Sequence, residues 1–180
     1  MPHDGQDIAV PADILLPDLL ALTGAALGPV ETVFEAARDR LRASVSKDGK
    51  VSAALIEANQ AAAHGLSWLA AYTESLRQMQ KWAEKLSGEG RFNETEALIH
   101  QIAFGEYLAQ ITGGIPMSQG EIVRLADIGL TAEDTSVLSG GAVNTLVAKG
   151  NSQAARTRLV DLMQEQSANI TVGTTGLDEE

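Results

Sequence analysis

The chain has 180 residues, 44% of them hydrophobic, with 13 Lys+Arg against 24 Asp+Glu for a formal charge of −11. That length holds one domain with a real core, or one domain and a tail. The acidic balance argues against phosphate backbones and anionic lipid as partners, and the absence of cysteine excludes disulfides, thiol catalysis and thiolate zinc sites.

The N-terminus, MPHDGQDIAVPADILLPDLL, is acidic and broken by prolines, with no basic leader before its apolar residues, so it does not have the pattern of a signal peptide. No apolar run is read as long enough to cross a bilayer, and a cytoplasmic location is expected. Aromatics make up 4% of the chain, so the core must be aliphatic and Ala-rich, which suits close-packed helices. No stretch alternates at period two for long. The predicted fold is therefore all-α, a bundle with one long central helix and several shorter ones.

In chain order, a short first helix is predicted from Pro17, where the missing N–H would be unpaired in any case. A second follows Pro29, with Val30, Val33, Phe34, Ala37, Leu41 and Val45 on one face. SKDGK, 46–50, is a turn. From Leu55 onward Ala58, Ala62, Gly65, Leu69, Tyr72, Leu76, Met79, Ala83 and Leu86 recur at steps of three and four, the rhythm of a bundle seam. One helix over 51–86 would run about 54 Å, and its small residues, Ala58 to Gly65, would let a partner helix approach closely.

Asn93 and Glu96 have capping-box spacing and start a helix over 94 to about 112. It is apolar around most of its circumference, with Glu96, His100, Glu106 and Gln110 in one polar stripe. In GGIPMSQGEIVR, 113–124, a glycine ends that helix, Pro116 blocks its resumption, and Ser118 to Glu121 is a capping box for a short helix near 119–127. Thr131 and Asp134 cap a helix from 132, interrupted by Ser139-Gly140-Gly141 before about 149. Gly150-Asn151-Ser152 reads as a stop and a new cap for a last helix over 152–166, with Leu159, Leu162 and Met163 facing in. Residues 1–12 read as disordered, 13–167 as the helical domain and 168–180 as a linker.

Chemistry is sparse. GGIPMSQG follows a helix rather than a strand and lacks both the GxGxxG and the GxxxxGK[ST] pattern; GEGRFN, 88–93, fails for the same reasons. Glu96 and His100 are four apart rather than three, and Ala61 stands where a glutamate would precede His64, so no di-iron motif forms. An i, i+4 pairing of Glu96 with His100 is the simpler reading. Glu106, beside Phe104, Tyr107 and Leu108, is a candidate acid or base whose burial would raise its pKa, weighed against a plain place on the polar stripe. Ser67 near His64 lacks a nucleophile elbow. The weak candidates for a functional polar site are Glu106, His100 and His64, with no catalytic, cofactor or metal residue assigned.

HGLSWLAAYTESLRQMQKWAEKL, 64–86, followed by LIHQIAFGEYLAQITGGIPMSQGEIVRLADIGL, 98–130, resembles the N-terminal helical extension of the methylsuccinyl-CoA dehydrogenases, a branch of the flavin-dependent acyl-CoA dehydrogenases. The resemblance covers the middle two-thirds of the chain. It implies a parent enzyme that uses FAD to desaturate a branched dicarboxylic CoA ester in the ethylmalonyl-CoA pathway. Such an enzyme is a homo-oligomer and passes electrons to an electron-transferring flavoprotein. It also implies that the catalytic body lies beyond residue 180, with TTGLDEE leading into it, so that the chain alone is inactive and binds no cofactor. Its expected partner is that body, in cis or in trans, with a contiguous apolar patch where the body docks. The alternative is a self-standing helical interaction protein, and a CoA-binding bundle stands behind both.

Overall fold

The computed structural model describes residues 14–167. The expected N-terminal segment 1–12 and the linker 168–180 lie outside the described residues. Helix α1, Leu19–Val45, leads through a two-stranded hairpin, β1 Ser46–Lys47 and β2 Lys50–Val51, into α2, Ala53–Ala58, and α3, Gln60–Gly88. Helix α4, Glu94–Gly113, is followed by a second hairpin, β3 Ile115–Pro116 and β4 Ile122–Val123, and a 3₁₀ turn, Leu125–Ile128. Short helices α5, Ala132–Thr135, and α6, Gly141–Thr145, run into a π turn, Leu146–Gly150, and then α7, Gln153–Ser167. The all-α bundle expected from composition is what forms.

The two N-terminal helices expected from the sequence are one. Pro29 lies inside α1, where it removes the hydrogen bond to the Ala25 carbonyl at a cost of about 3 kcal/mol. Gly28, with no Cβ to meet the proline ring, lowers the steric part of that cost. Ala26, Val30, Val33 and Ala37 are fully buried along a single stripe of α1, and each valine contributes about 1.5 kcal/mol or more, so packing outweighs the break. Pro17 stands before the helix, and Asp18, in left-handed backbone at φ 49°, occupies the N-cap position without a side-chain capping bond. With 27 residues and a window of mean hydropathy 1.3, α1 is long and apolar enough to cross a bilayer, contrary to the expectation. Here α1 packs chiefly against α3, and Glu31 on its flank pairs with Arg77 of α3 at 2.5 Å.

The long central helix is shorter than expected, about 44 Å for the 29 residues of α3. Asn59 breaks it. Its side-chain amide donates to the Leu55 carbonyl at 2.8 Å, taking the acceptor that its own backbone N–H would use, and that N–H turns to the Ile56 carbonyl at 3.0 Å. Asn59→Ala is expected to fuse α2 with α3, read as helical ¹³Cα shifts running unbroken through 57–61; a persistent non-helical shift at 59 would show that the surrounding packing makes the bend.

The seam of α3 is as spaced, but Thr73 and Gln80 occupy buried positions on it, and Ala58 is exposed. The close approach at Gly65 is real, yet the neighbour is not a helix. A Cβ there would lie 2.5 Å from Val123 Cγ2 and 3.1 Å from Ile128 Cγ1.

Both hairpin turns have positive φ at two successive residues, Asp48 and Gly49 at 54° and 75°, Gln119 and Gly120 at 49° and 87°. This is the type I′ geometry that matches strand twist. Ser118 to Glu121 is therefore a β-turn, closed by Glu121 N–H to the Ser118 carbonyl at 2.8 Å, and the expected helix near 119–127 is replaced by β4 and the 3₁₀ turn. Pro116 sits on a strand with one neighbour, where its missing donor is tolerated. The caps at Asn93 and Thr131 form: Glu96 accepts from Asn93 N–H at 3.0 Å and Asp134 from Thr131 N–H at 2.7 Å. Ser152 caps α7 by accepting Ala155 N–H at 3.1 Å. On α7, Leu162 is buried and Leu159 half-buried, but Met163 points outward at 56% exposure.

Candidate functional site

The sequence candidates fall in three separate places. His100 is not on an exposed polar stripe; it is fully buried in α4, because α1 covers the first turns of that helix. Its Nε2 lies 3.0 Å from Thr23 Oγ1, which in turn lies 2.7 Å from Gln80 Oε1. The amide of Gln80 donates to the Leu20 carbonyl at 3.1 Å and to Glu84 at 2.8 Å. With the Thr23 proton directed at Gln80, His100 donates through Nε2, and its Nδ1 is left buried without a hydrogen-bond partner. Phe92 and Phe104 close over the ring at centroid distances of 5.9 and 4.7 Å. Burial pushes the imidazole down to about 4, against a smaller opposing pull from Glu84. Neutral, walled by phenyl rings and without access to solvent, His100 is a core polar group. The expected pair with Glu96 does not form, since that carboxylate caps Asn93.

Glu106 is exposed rather than recessed, so it is not the buried acid or base the sequence suggested. Its carboxylate accepts from Gln110 Nε2 at 2.5 Å and from Asn151 Nδ2. Gln110 accepts from the Tyr72 hydroxyl, Tyr72 stacks edge-on against Tyr107 at 4.7 Å, and Arg156 Nη1 donates to Asn151 Oδ1 at 2.8 Å. The carboxylate is thus one link in a surface chain of hydrogen bonds that ties α3, α4 and the start of α7. Burial raises the Tyr72 pKa, with smaller contributions from Tyr107 and Glu106; its hydroxyl stays protonated as the donor that chain requires.

His64 is exposed near the start of α3 and accepts from Trp68 Nε1 at 3.0 Å. It lines an open groove between α3 and the second hairpin, with Gln60, Met117, Ile122, Arg124 and Asp127 among its walls. Met117 and Glu121 of GGIPMSQGE stand on one side of this groove. Among the described residues, no group of three or more His, Asp or Glu side chains could hold a metal ion.

Sequence reasoning missed the buried polar residues that do the positioning. Gln101 donates to the carbonyls of Ile14 at 3.0 Å and Gly150 at 3.3 Å and accepts Leu16 N–H at 2.7 Å, fastening the segment before α1 and the π turn to α4. Gly105 and Gly150 make that approach possible. A Cβ on Gly105 would meet Asn151 N at 2.6 Å and the Gly150 carbonyl carbon at 2.9 Å. Arg158 holds Glu94 in a bidentate pair at 2.8 Å for each bond, setting α7 antiparallel to α4, and that hydrogen bonding draws the Glu94 pKa down. Gln80, on an otherwise apolar seam of α3, was the visible signal of such a network, whereas the neighbouring Thr73 bonds only back to the Leu69 carbonyl of its own helix.

What remains to identify the chain is its overall similarity to known proteins. The chain is similar to a methylsuccinyl-CoA dehydrogenase. It is 57% identical over 166 residues, 92% of its own length, to (2S)-methylsuccinyl-CoA dehydrogenase of Cereibacter sphaeroides. The match spans 30% of that methylsuccinyl-CoA dehydrogenase, leaving more than two-thirds of its length without a counterpart here. No protein-family model matches the chain. The resemblance read from residues 64–86 and 98–130 thus extends over nearly the whole sequence.

Proposed function

We propose that this chain is the non-catalytic, N-terminal helical domain of a methylsuccinyl-CoA dehydrogenase-like, FAD-dependent acyl-CoA dehydrogenase. The observation that carries the reading is the lopsided match, 57% identity over almost all of this chain against less than a third of the relative. The buried polar groups support it, since His100, Gln80 and Gln101 are each engaged in joining helices rather than aimed into a cleft. In this reading the parent enzyme is a cytoplasmic homo-oligomer that desaturates an acyl-CoA, and FAD and the catalytic base belong to the body. The domain's partner is that body, and nucleic acid and membrane are not partners.

Expressed alone, the 180-residue chain is expected to be colourless and inactive toward methylsuccinyl-CoA, whereas its product extended through the downstream body is yellow and active. A stoichiometric flavin complex of the chain alone would overturn the proposal. A second reading, a self-standing helical interaction protein, is favoured by a core that closes on itself: Val30, Leu69, Leu76, Phe104, Leu108 and Leu146 are buried within the chain. The absence of a dehydrogenase body downstream of the gene segment would select it.

A further inference from the structure

Among the described residues, the exposed large apolar side chains include Val51 and Ile56, close in sequence before the start of α3, and Val160 and Met163, 50% and 56% exposed at i, i+3 on α7. The two groups lie at opposite ends of the 29-residue α3, because the Arg158–Glu94 pair places the later turns of α7 beside the start of α4. At 100° per residue, Gln153, Arg156, Thr157, Val160 and Met163 share the outer face of α7, opposite the buried Ala155 and Leu162.

This face carries no carboxylate on a chain of charge −11. Its one ionisable group, Arg156, is already held by Asn151 Oδ1 at 2.8 Å and Gln153 Oε1 at 3.0 Å. It is also fixed before any partner arrives, by Arg158 on Glu94 and by Ala155 and Leu162 against Leu98.

We propose that this outer face of α7 is the surface on which the dehydrogenase body docks, an inference that rests on the reading just given. Residues 168–180 separate α7 from anything that follows, and 13 residues span at most about 45 Å. Fully extended, that segment also reaches the Val51 and Ile56 end, since α3 is about 44 Å long; a body joined there nevertheless starts from the end of α7, so the Val160 and Met163 face is the nearer of the two and is met at the higher effective concentration. The complementary surface is an apolar depression for Val160 and Met163, rimmed by uncharged hydrogen-bonding groups that meet Gln153 and Thr157.

The test uses the full-length protein with a protease site engineered after Glu180, mild peroxide, and mass spectrometry of the methionine peptides. Within the domain Met163 is exposed while Met79 and Met117 are half-buried, so an uncovered α7 oxidises Met163 fastest. Docking reverses that order, with Met163 oxidised about tenfold more slowly than Met117. Val160→Lys then restores fast oxidation of Met163, and Val51→Lys leaves it slow. If Met163 stays fastest yet the cleaved domain co-elutes with the body, the α7 assignment is overturned and the accessory-domain reading stands. If Met163 stays fastest and the cleaved domain elutes alone, or no body follows the segment, both fall.

Discussion

Gly105→Ala is expected to destabilise the chain by about 2 to 3 kcal/mol, even though alanine is the better helix former by about 1 kcal/mol. The added Cβ would meet backbone atoms of Asn151 and Gly150 at 2.6 to 3.0 Å, and backbone cannot swing aside as a flexible side chain can. The π turn must move off α4, and the Gln101 bond to the Gly150 carbonyl goes with it. At roughly 2 to 4 °C per kcal/mol for a chain of this size, the melting temperature should fall by about 5 to 10 °C. Gly24→Ala on the exposed side of α1 is the matched control, since its Cβ would sit 3.5 Å from the nearest atom, the amide nitrogen of Gln80. That variant should be unchanged or stabilised by up to about 1 kcal/mol. Equal effects of the two substitutions would mean that the glycine contact is not tight.

Stability is also expected to fall between pH 6.5 and pH 4 through His100. In the unfolded chain the imidazole titrates near 6.5, while burial pushes it down to about 4 in the folded one. Between those values the unfolded state binds the extra proton, so acidification favours unfolding. Above pH 6.5 both states are neutral and the full stability is present; by pH 4 about 3 kcal/mol has been lost from this residue. Thr23 and the Phe92 and Phe104 rings offer the cation no counter-charge, and Glu84 reaches the site only through Gln80. His100→Gln can still donate to Thr23 and should flatten the pH dependence of urea unfolding between pH 7 and 5. A variant as steep as the parent chain in that window would assign the acid sensitivity to other groups.

The helices were legible where local signals and packing agree. Asn93 with Glu96, Thr131 with Asp134, and Gly150-Asn151-Ser152 marked boundaries that the structure keeps, because capping is a contest among neighbouring residues alone. Pro29 was misleading because its cost is local, whereas the benefit of the stripe from Ala26 to Ala37 comes from α3, far away in sequence. Ser118 to Glu121 was ambiguous in principle: the same four residues can cap a helix or close a tight turn, and the choice fell to β3 and β4, which pair across it. Asp48-Gly49 was a hairpin dipeptide in plain view, passed over because only two residues pair on either side.

The polar sites were less legible. A helical projection assigns angles around an axis but cannot say which angles a neighbour covers, so His100 and Glu106 looked alike although one is sealed behind α1 and the other faces water. The resemblance to a known family, by contrast, was read from strings such as GGIPMSQGE, whose local chemistry is that of an ordinary helix end and turn.

The π turn at Leu146–Gly150 has a consequence for how the C-terminal part can vary. A π turn holds one more residue than the α turn it replaces, so it sets the phase of Gly150 relative to α6. Shortening it by one residue would rotate Gly150 by roughly 100° about that axis, away from Gly105 and Gln101. The non-helical break at Asn151-Ser152 would then have to absorb the change for Arg158 to keep Glu94 and Leu162 to keep Leu98. The spacing from Leu146 to Asn151 is therefore as much a part of the domain's identity as any side chain in it, and single-residue insertions and deletions should be far less tolerated there than in the turns at Asp48-Gly49 and Gln119-Gly120.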